Sequence, residues 1–380
     1  MIIGSISENK DIEKRISITP DLAKKYISYG FEILIEKDFA SHLDISNEEF
    51  INEGCKLEKK ENILKQSDII LQLNLPEESS FEHFKENNVL IGNFNCNENK
   101  EVINKYNKKK TSIFSLELLP RITRAQSMDI LSSQANLAGY KAVVDSFAFF
   151  KKAIPMMMTA AGTISAAKVL VIGAGVAGLQ AIATAKRLGA RVKAFDTRPI
   201  VKEQVESLGA EFVSLETSDE AQTSGGYAEE MSEDFYQHEH AIIGEHLPTT
   251  DAVITTAQIF GKRAPLLITE EMLQTMRYGS VIVDLAAEQG GNCELTVPGK
   301  NVERHGVNIL SPLDLPSSLS YHTSEMFSRN VTALLSEMLD AGEMNIDLED
   351  EVVSGTILTH EGKILNQHVI DLLDREKEEN

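Results

Sequence analysis

Short apolar runs alternate with amphipathic stretches through the first third of the chain. Four runs are rich in Ile, Leu and Val and have the character of buried parallel strands: Ile2–Ile6, Glu32–Glu36, Asp68–Leu73 and Val89–Gly92. Helices are expected between them, one after Thr19-Pro20 and one near Asn47–Glu53. This alternation of strands and helices predicts a parallel α/β domain.

The next stretch, Thr123–Val144, contains no proline and only one glycine. Apolar residues recur in it at helical spacing, at Met128, Leu131, Ala135 and Ala138. We therefore expect a long helix over this stretch, and we expect it to join two domains.

The second half of the chain repeats the alternating pattern. Strands are predicted at Lys168–Ile172, Arg191–Asp196, Ala252–Ala257, Val281–Leu285 and Asn308–Leu310, with helices such as Leu179–Leu188 and Glu270–Met276 between them. This order is typical of a doubly wound sheet. The expected fold class is therefore α/β, with two Rossmann-like domains built on parallel sheets and joined by the long helix.

The carboxyl-terminal part has a different pattern. A long helix is predicted over Glu325–Leu339. It is followed by a predicted hairpin of Glu351–Thr359 and Lys363–Leu365, which turns at Glu361-Gly362.

Composition narrows the classes of partner. With 37 Lys and Arg against 58 Asp and Glu, the formal net charge is −21, which disfavours binding to nucleic acid or to an anionic membrane surface. Cys55, Cys96 and Cys293 are too far apart to suggest a zinc site or a disulfide framework. The apolar segment Ala153–Ala185 is interrupted by Pro155 and by glycines, so direct membrane insertion is not expected. The first residues form a predicted strand, so we expect no signal peptide.

The strongest chemical signal is a glycine-rich turn that follows the strand Lys168–Ile172 and opens a helix: Gly173, Ala174, Gly175, Val176, Ala177 and Gly178. In this context GxGxxG binds the pyrophosphate of a dinucleotide at the helix amino terminus. Asp196 ends the next strand, roughly 20 residues on, where an acid accepts from the adenosine ribose hydroxyls. The turn and Asp196 predict NAD(H) rather than NADP(H). The alternative is a glycine turn required only for packing.

The two residues after Asp196 extend this expected contact to Thr197 and Arg198. The guanidinium of Arg198 leaves two interpretations open, because it would either neutralise a 2′-phosphate or lie along the edge of the adenine.

A cluster of polar residues lies just before the predicted long helix, between Arg121 and Ser133. By itself this cluster is explained as a helix cap formed by Thr123, with Asp129 one turn further on. Together with other motifs it resembles domain I, the NAD(H)-binding domain, of proton-translocating NAD(P) transhydrogenase. The motifs are Arg124–Asp129, Ser132–Asn136, Ala138–Tyr140, Ala194–Pro199 and Val281–Ala287.

The resemblance implies the positions of the site residues. The family's nicotinamide loop matches the catalytic candidates Arg121, Gln126, Asp129 and Ser132, and its cofactor contacts match Ile122, Thr123, Ser127 and Met128. A mobile loop that closes with a tyrosine matches Gly226 and Tyr227, for which an ordinary surface loop is the alternative. The nicotinamide ribose is expected near Thr256, Ala257, Gln258 and Leu285.

The same resemblance implies the domains and partners. We expect a discontinuous domain, 1–135 with 316–380, that is similar to alanine dehydrogenase, and an NAD(H)-binding Rossmann domain, 136–315. The implied activity is direct hydride transfer from NADH to NADP⁺, with NADP(H) held on a beta subunit and proton translocation performed by a membrane-domain subunit. The chain is expected to be a homodimer in the cytoplasm, held at the cytoplasmic face of the inner membrane through these partners.

Alanine dehydrogenase is the main alternative, because domain I resembles it over its full length. That family uses a Lys and a His for proton transfer and an Arg for the substrate carboxylate. Here Asn74 and Asn95 stand where the Lys and His should be, although Arg15 is kept. An NAD(H)-binding regulatory module is a further alternative.

Two other sequence features have simpler explanations. His238, His240 and His246 lack the spacing of a metal site and are explained as a solvated helix face. The run Met156–Met158 is explained as apolar packing.

Overall fold

Two units, each with its own sheet and apolar core, make up the chain: Met1–Gln134 with Ser317–Asn380, and Ala135–Pro316. The structure is a computed structural model. It describes residues 1–96, 98–214, 233–258, 262–340, 343–367 and 369–371.

The first segment of unit 1 contains all of the strands and helices predicted for it, and some that were not predicted. Pro20 at the first helical position and a capping box of Ser46 with Glu49 start two of its helices. The elements are β1 (Ile2–Ser5), α1 (Pro20–Ser28), β2 (Glu32–Glu36), α2 (Asn47–Asn52), β3 (Lys56–Glu58), α3 (Lys60–Gln66), β4 (Ile69–Leu71), β5 (Val89–Gly92), α4 (Lys100–Lys108) and β6 (Ser112–Ser115).

The long helix α5 (Ile130–Ala148) is present, but it starts later than the apolar spacing predicted. Residues Thr123–Met128 form a 3₁₀ helix instead. Asp129 separates the two, because its backbone is extended and its carboxylate accepts from Ser132 N at 2.9 Å in the first turn of α5. Asp129 is therefore the cap, and the expectation that Thr123 caps this helix is wrong.

Unit 2 is a doubly wound sheet, as predicted. Its seven-stranded sheet has the order β11-β10-β9-β12-β13-β15-β14, and all neighbours are parallel except β14 with β15. The elements are β7 (Met157–Thr159), β8 (Gly162–Ile164), β9 (Lys168–Ile172), α6 (Val176–Arg187), β10 (Arg191–Phe195), α7 (Lys202–Ser207), β11 (Glu211–Val213), α8 (Glu233–His246), β12 (Ala252–Thr255), α9 (Glu270–Gln274), β13 (Val281–Asp284), β14 (Asn301–Arg304) and β15 (Val307–Leu310).

The strand order of unit 2 determines where its ligand crevice lies. The first strand of the doubly wound sheet, β9, has β10 on one side and β12 on the other. Connections leave β9 in opposite directions at this switch point, so the crevice opens beyond the carboxyl ends of β9 and β12.

The strands β7 and β8 form a separate antiparallel hairpin whose apolar side chains face solvent. Met156, Met157 and Met158 are 58%, 40% and 79% exposed. The prediction that these methionines pack internally is wrong, because the hairpin lies outside the cores of the chain.

The closing segment of unit 1 consists of α10 (Ser320–Glu337), β16 (Leu339–Asp340), β17 (Glu343–Met344), α11 (Glu351–Thr356), β18 (Ile357–His360) and β19 (Lys363–Ile364). The predicted hairpin is correct only from Ile357 onward. Asp350 accepts from the amides of Val352 and Val353 and so starts a helix where a strand was predicted. The turn at Glu361-Gly362 is confirmed, and both residues have positive φ.

The sheet of unit 1 has the order β19-β18-β6-β5-β4-β1-β2-β3, so the closing segment completes the sheet that the first segment begins. Helix α10 contributes Phe327, Val331 and Leu334 to the apolar core on that sheet. Among the described residues, no helix is both long and apolar enough to cross a bilayer.

Candidate functional site

The glycine-rich turn lies at the carboxyl end of β9 and leads directly into α6. Gly173 has a φ of +95°, a conformation that favours glycine. A Cβ on Gly178 would lie 1.8 Å from the carbonyl oxygen of Gly173, whereas a Cβ on Gly175 would meet nothing within 4 Å. Ala174 is buried, and Val176 and Ala177 form the first turn of α6 with partial exposure. The turn is therefore closed on its inner side and open at Gly175.

The carboxylate of Asp196 binds this turn directly. Ala174 N donates to Asp196 Oδ2 at 2.7 Å, and Gly173 N donates to the carbonyl of Phe195 at 2.8 Å. The guanidinium of Arg198 donates to both Asp196 oxygens at 2.9 Å, which raises the pKa of Arg198. Thus Arg198 neutralises Asp196 rather than pointing to open solvent, and Thr197 lies between them with partial exposure.

The segment after β12 is held against the turn from the other side. Thr256 Oγ1 donates to Gly173 O at 3.0 Å. Ala257 lies next to it, and the exposed Gln258 donates through Nε2 to Leu285 O at 2.9 Å. These contacts bring four sequence-predicted residues to the carboxyl ends of β9, β12 and β13.

The side chain of Asn292 fixes this segment and was not found from the sequence. It is fully buried, donates to Ala257 O at 2.9 Å and to Pro265 O at 2.8 Å, and accepts from Ala257 N at 3.1 Å. Its own amide donates to Asp284 Oδ2 at 2.8 Å. Asp284 is fully buried too and also accepts from Thr255, Ala286, Cys293 and Thr296. The only sequence signal was the glycine pair that precedes Asn292.

In unit 1 the polar cluster is built around Asp129. Its carboxylate accepts from Ser132 N at 2.9 Å and from Ser132 Oγ at 2.5 Å, so two of the four catalytic candidates are in contact. Arg121 and Gln126 are exposed on the segment that precedes Asp129. The cluster thus combines a fixed carboxylate with two exposed polar side chains.

The rest of this segment is attached to the closing helices of unit 1. Ser127 O accepts from Asn330 at 2.7 Å, and Arg124 forms ion pairs with Glu337 and Asp350. Thr123 and the side chain of Ser127 are exposed.

Two of the predicted cofactor contacts have side chains on the core side of the segment. Met128 is only 2% exposed, and Ile122 packs against the same core. Any contact of Met128 with a nucleotide must therefore be made by its backbone. Gly226 and Tyr227 lie outside the described residues.

The positions that would serve an amino-acid oxidoreductase are occupied by internal contacts. Arg15 donates to Glu13 through Nε at 2.9 Å and through Nη2 at 2.6 Å, and to Gln134 at 3.0 Å. Glu13 is only 3% exposed. Asn74 donates to Glu8, whose pKa burial raises to about 7. Arg15 therefore already binds a carboxylate of its own chain.

The three histidines lie on α8, where His240 Nε2 is 2.7 Å from Leu266 O. Burial lowers the pKa of His246. No group of His, Cys, Asp and Glu that could hold a metal ion occurs among the described residues.

A second buried acid on α8 was also missed. Glu239 is only 4% exposed, and burial together with the charge of Asp196 raises its pKa to about 7. Its spacing of four residues from the apolar Ile243 was the available signal, because it places both on one helix face.

Comparisons with known proteins agree with this geometry. Residues 4–138 match the amino-terminal domain of the family described as alanine dehydrogenase/PNT, and residues 142–367 match its carboxyl-terminal domain. An NAD(P) transhydrogenase alpha subunit of Rhodospirillum rubrum is 45% identical over 376 residues, which cover 96% of this chain and 98% of that protein.

Solved structures support the same relationship. A transhydrogenase structure from Sinorhizobium meliloti has a TM-score of 0.87 and 40% identity, covering 96% of this chain and 100% of that one. An L-alanine dehydrogenase structure has a TM-score of 0.82 at 18% identity, covers 99% of both chains, and so shares the fold. The resemblance predicted from the sequence is thus confirmed. The chain belongs to the alanine dehydrogenase/PNT family and, within it, to the NAD(P) transhydrogenase alpha subunits.

Proposed function

We propose that this chain is the NAD(H)-binding subunit of a proton-translocating transhydrogenase. The observation that carries the proposal is the glycine turn, with Asp196 bonded to its Ala174 amide in a chain 45% identical to a transhydrogenase alpha subunit. The open space at Gly175 fits a pyrophosphate, because a Cβ placed there would meet nothing within 4 Å. NADH bound there supplies a hydride, which passes directly to NADP⁺ held on a partner beta subunit.

The residues of the chain bind and orient the nucleotide. The first amides of α6 have no intrahelical acceptor and, with the helix dipole, attract the pyrophosphate. Asp196 accepts from the ribose hydroxyls once Arg198 yields part of its hold, and Thr256, Ala257 and Gln258 line the nicotinamide ribose. In unit 1, Arg121 and Asp129 hold the carboxamide and fix the face of the ring.

Hydride transfer between two nicotinamides needs positioning and no separate proton carrier. Gln126 is suited to bridge to the second nucleotide, and the bond from Ser132 keeps the Asp129 carboxylate in one orientation. Oxidation of an amino acid would require an acid or base and a free cation for the substrate carboxylate. Asn74 and Asn95 replace the first, and Arg15 is already paired with Glu13.

The proposal includes the partners. Proton translocation belongs to a membrane-domain subunit, and this chain is held at the cytoplasmic face of the inner membrane by that subunit and the beta subunit. We also propose a homodimer, which is supported by the exposed methionines of the β7–β8 hairpin, because such apolar surfaces mark protein contacts. Light scattering of the purified chain tests the dimer, and a monomer at micromolar concentration would refute it.

The decisive experiment measures binding and transfer separately. Purified chain is titrated with NADH by fluorescence, then mixed with the beta subunit and an NADP⁺ analogue, and with pyruvate and ammonia in a parallel reaction. We expect NADH binding, hydride transfer only with the beta subunit, and no reaction with pyruvate and ammonia. NADH oxidation by pyruvate and ammonia would establish the alanine dehydrogenase alternative. Binding without transfer to the complete partner complex would favour the regulatory module.

A further inference from the structure

Helix α8 brings a second acid to the place where Asp196 lies. Glu239 and Ile243 are four residues apart and lie on one face of α8. Ile243 belongs to the same apolar core as Phe195, the last residue of β10 and the neighbour of Asp196. Glu239 is thus placed among buried residues near the carboxyl end of β10, with only 4% of its surface exposed.

The Glu239 carboxyl has an unusual environment for a buried acid. In the described part of the chain no group is found that hydrogen-bonds to it, and the guanidinium of Arg198 is taken up by both oxygens of Asp196. Burial raises the pKa of Glu239 to about 7, and the charge of Asp196 adds to this effect. A buried polar group without a partner costs stability, so its retention is better explained by a ligand than by folding.

The pair of Asp196 and Arg198 does not by itself decide between the two dinucleotides. Asp196 accepts from a 2′-hydroxyl and repels a 2′-phosphate, but Arg198 would bind that phosphate if it left Asp196. A second acid resolves this ambiguity. Two carboxyls then share one guanidinium, so Arg198 is held back and a phosphate meets an excess of negative charge.

We propose that Glu239 is a specificity-determining residue of the adenosine end, which acts with Asp196 to exclude nucleotides that carry a 2′-phosphate. The inference rests on the proposed binding of NADH at the glycine turn and goes beyond it by naming a residue that rejects NADP(H). A 2′-hydroxyl donates to either carboxyl, whereas a 2′-phosphate finds no donor on Glu239 when that group is ionised.

The test compares Glu239→Gln with Glu245→Gln. Both substitutions remove one acid from α8, but Glu245 is exposed. Dissociation constants of NADH, NADPH, 5′-AMP and adenosine 2′,5′-bisphosphate are measured at pH 8, where Glu239 is mostly ionised. Because an opposing charge a few ångströms away acts through a partly screened medium, we expect Glu239→Gln to bind NADPH and the bisphosphate about tenfold more tightly. NADH and 5′-AMP should change by less than about twofold, and Glu245→Gln should match the natural chain.

The outcomes separate this inference from the function on which it rests. If the natural chain binds neither NADH nor 5′-AMP, the proposed function is wrong. If the natural chain binds NADH but Glu239→Gln leaves the ratio of NADH to NADPH affinity unchanged, only the role of Glu239 is refuted. Thermal unfolding monitors the fold of each variant. Glu239→Met provides a second neutral side chain of similar size, which must give the same change in selectivity.

Discussion

The glycine turn makes a prediction in which stability and nucleotide binding separate. A methyl group on Gly178 would lie 1.8 Å from Gly173 O, against the contact distance of at least about 3 Å that a real Cβ requires. Alanine would gain about 1 kcal/mol in helix propensity. The overlap wins, because backbone must move by more than an ångström in a packed turn, and such overpacking costs about 1–3 kcal/mol or more. We expect Gly178→Ala to lower the free energy of unfolding by about 2 kcal/mol.

The matched variant is Gly175→Ala, at the residue that caps the start of α6. Its Cβ meets nothing within 4 Å, and its φ of −75° suits any residue. Replacing glycine by alanine at this cap costs only a few tenths of a kcal/mol. The new methyl group would, however, stand where the backbone must approach the pyrophosphate. The loss of one charge-assisted hydrogen bond, about 1.5–3 kcal/mol, corresponds to at least a tenfold loss of NADH affinity.

Two assays test this pair of variants. Thermal unfolding should show a fall in Tm of about 4–8 °C for Gly178→Ala and less than about 2 °C for Gly175→Ala. NADH fluorescence titration should show at least tenfold weaker binding for Gly175→Ala. If Gly175→Ala keeps the natural affinity for NADH, the pyrophosphate does not lie on this turn. If Gly178→Ala is as stable as the natural chain, the close contact is not what requires glycine there.

Three further substitutions test other parts of the structure. Asp196→Asn should weaken NADH binding by about 1.5–3 kcal/mol through loss of a charged acceptor, and unchanged binding in a titration would refute its ribose role. Asn292→Ser should raise the Kd for NADH about tenfold while leaving that for 5′-AMP unchanged, because it releases Ala257 at the nicotinamide end; equal losses for both would contradict this. The pKa of Glu8 is raised from 4.5 to about 7, so the folded state keeps a proton that the unfolded state releases between these values, and stability falls as the pH rises. Glu8→Gln should therefore be more stable than the natural chain by up to about 3 kcal/mol at pH 8, with little difference near pH 4, in urea unfolding; parallel pH profiles would exclude the effect.

The strands and the glycine turn could be predicted because their signals are local. A β-branched run such as Lys168–Ile172 followed by GxGxxG leaves few alternatives for the backbone. The start of α5 was missed because periodicity reports which residues share a face, not where a cap interrupts the helix. Asp129 interrupts it by binding Ser132. At Glu351 the helix is likewise set by the capping carboxylate of Asp350 rather than by the apolar pattern.

The supporting residues of the site could not be predicted, because their roles depend on contacts between segments far apart in the chain. Asn292 matters because Ala257 and Pro265 pass beside it, and Glu239 because α8 packs near Asp196. In both cases the residue type alone is uninformative. The same reason explains the error at Met158, since an apolar residue does not reveal whether another element covers it.

The contacts of Arg15 explain how one fold serves both amino-acid oxidation and nucleotide-to-nucleotide transfer. A carboxylate on the same chain, two residues away, competes with any free amino acid at an effective concentration far above that of a metabolite. Glu13 binds the guanidinium through two hydrogen bonds, so the internal contact is also geometrically well satisfied. Losing Lys and His at the positions of Asn74 and Asn95 removes the proton chemistry, and the Glu13 contact removes substrate recognition. What remains in unit 1 is a polar loop around Asp129, which suits a site that only has to hold and orient a nicotinamide.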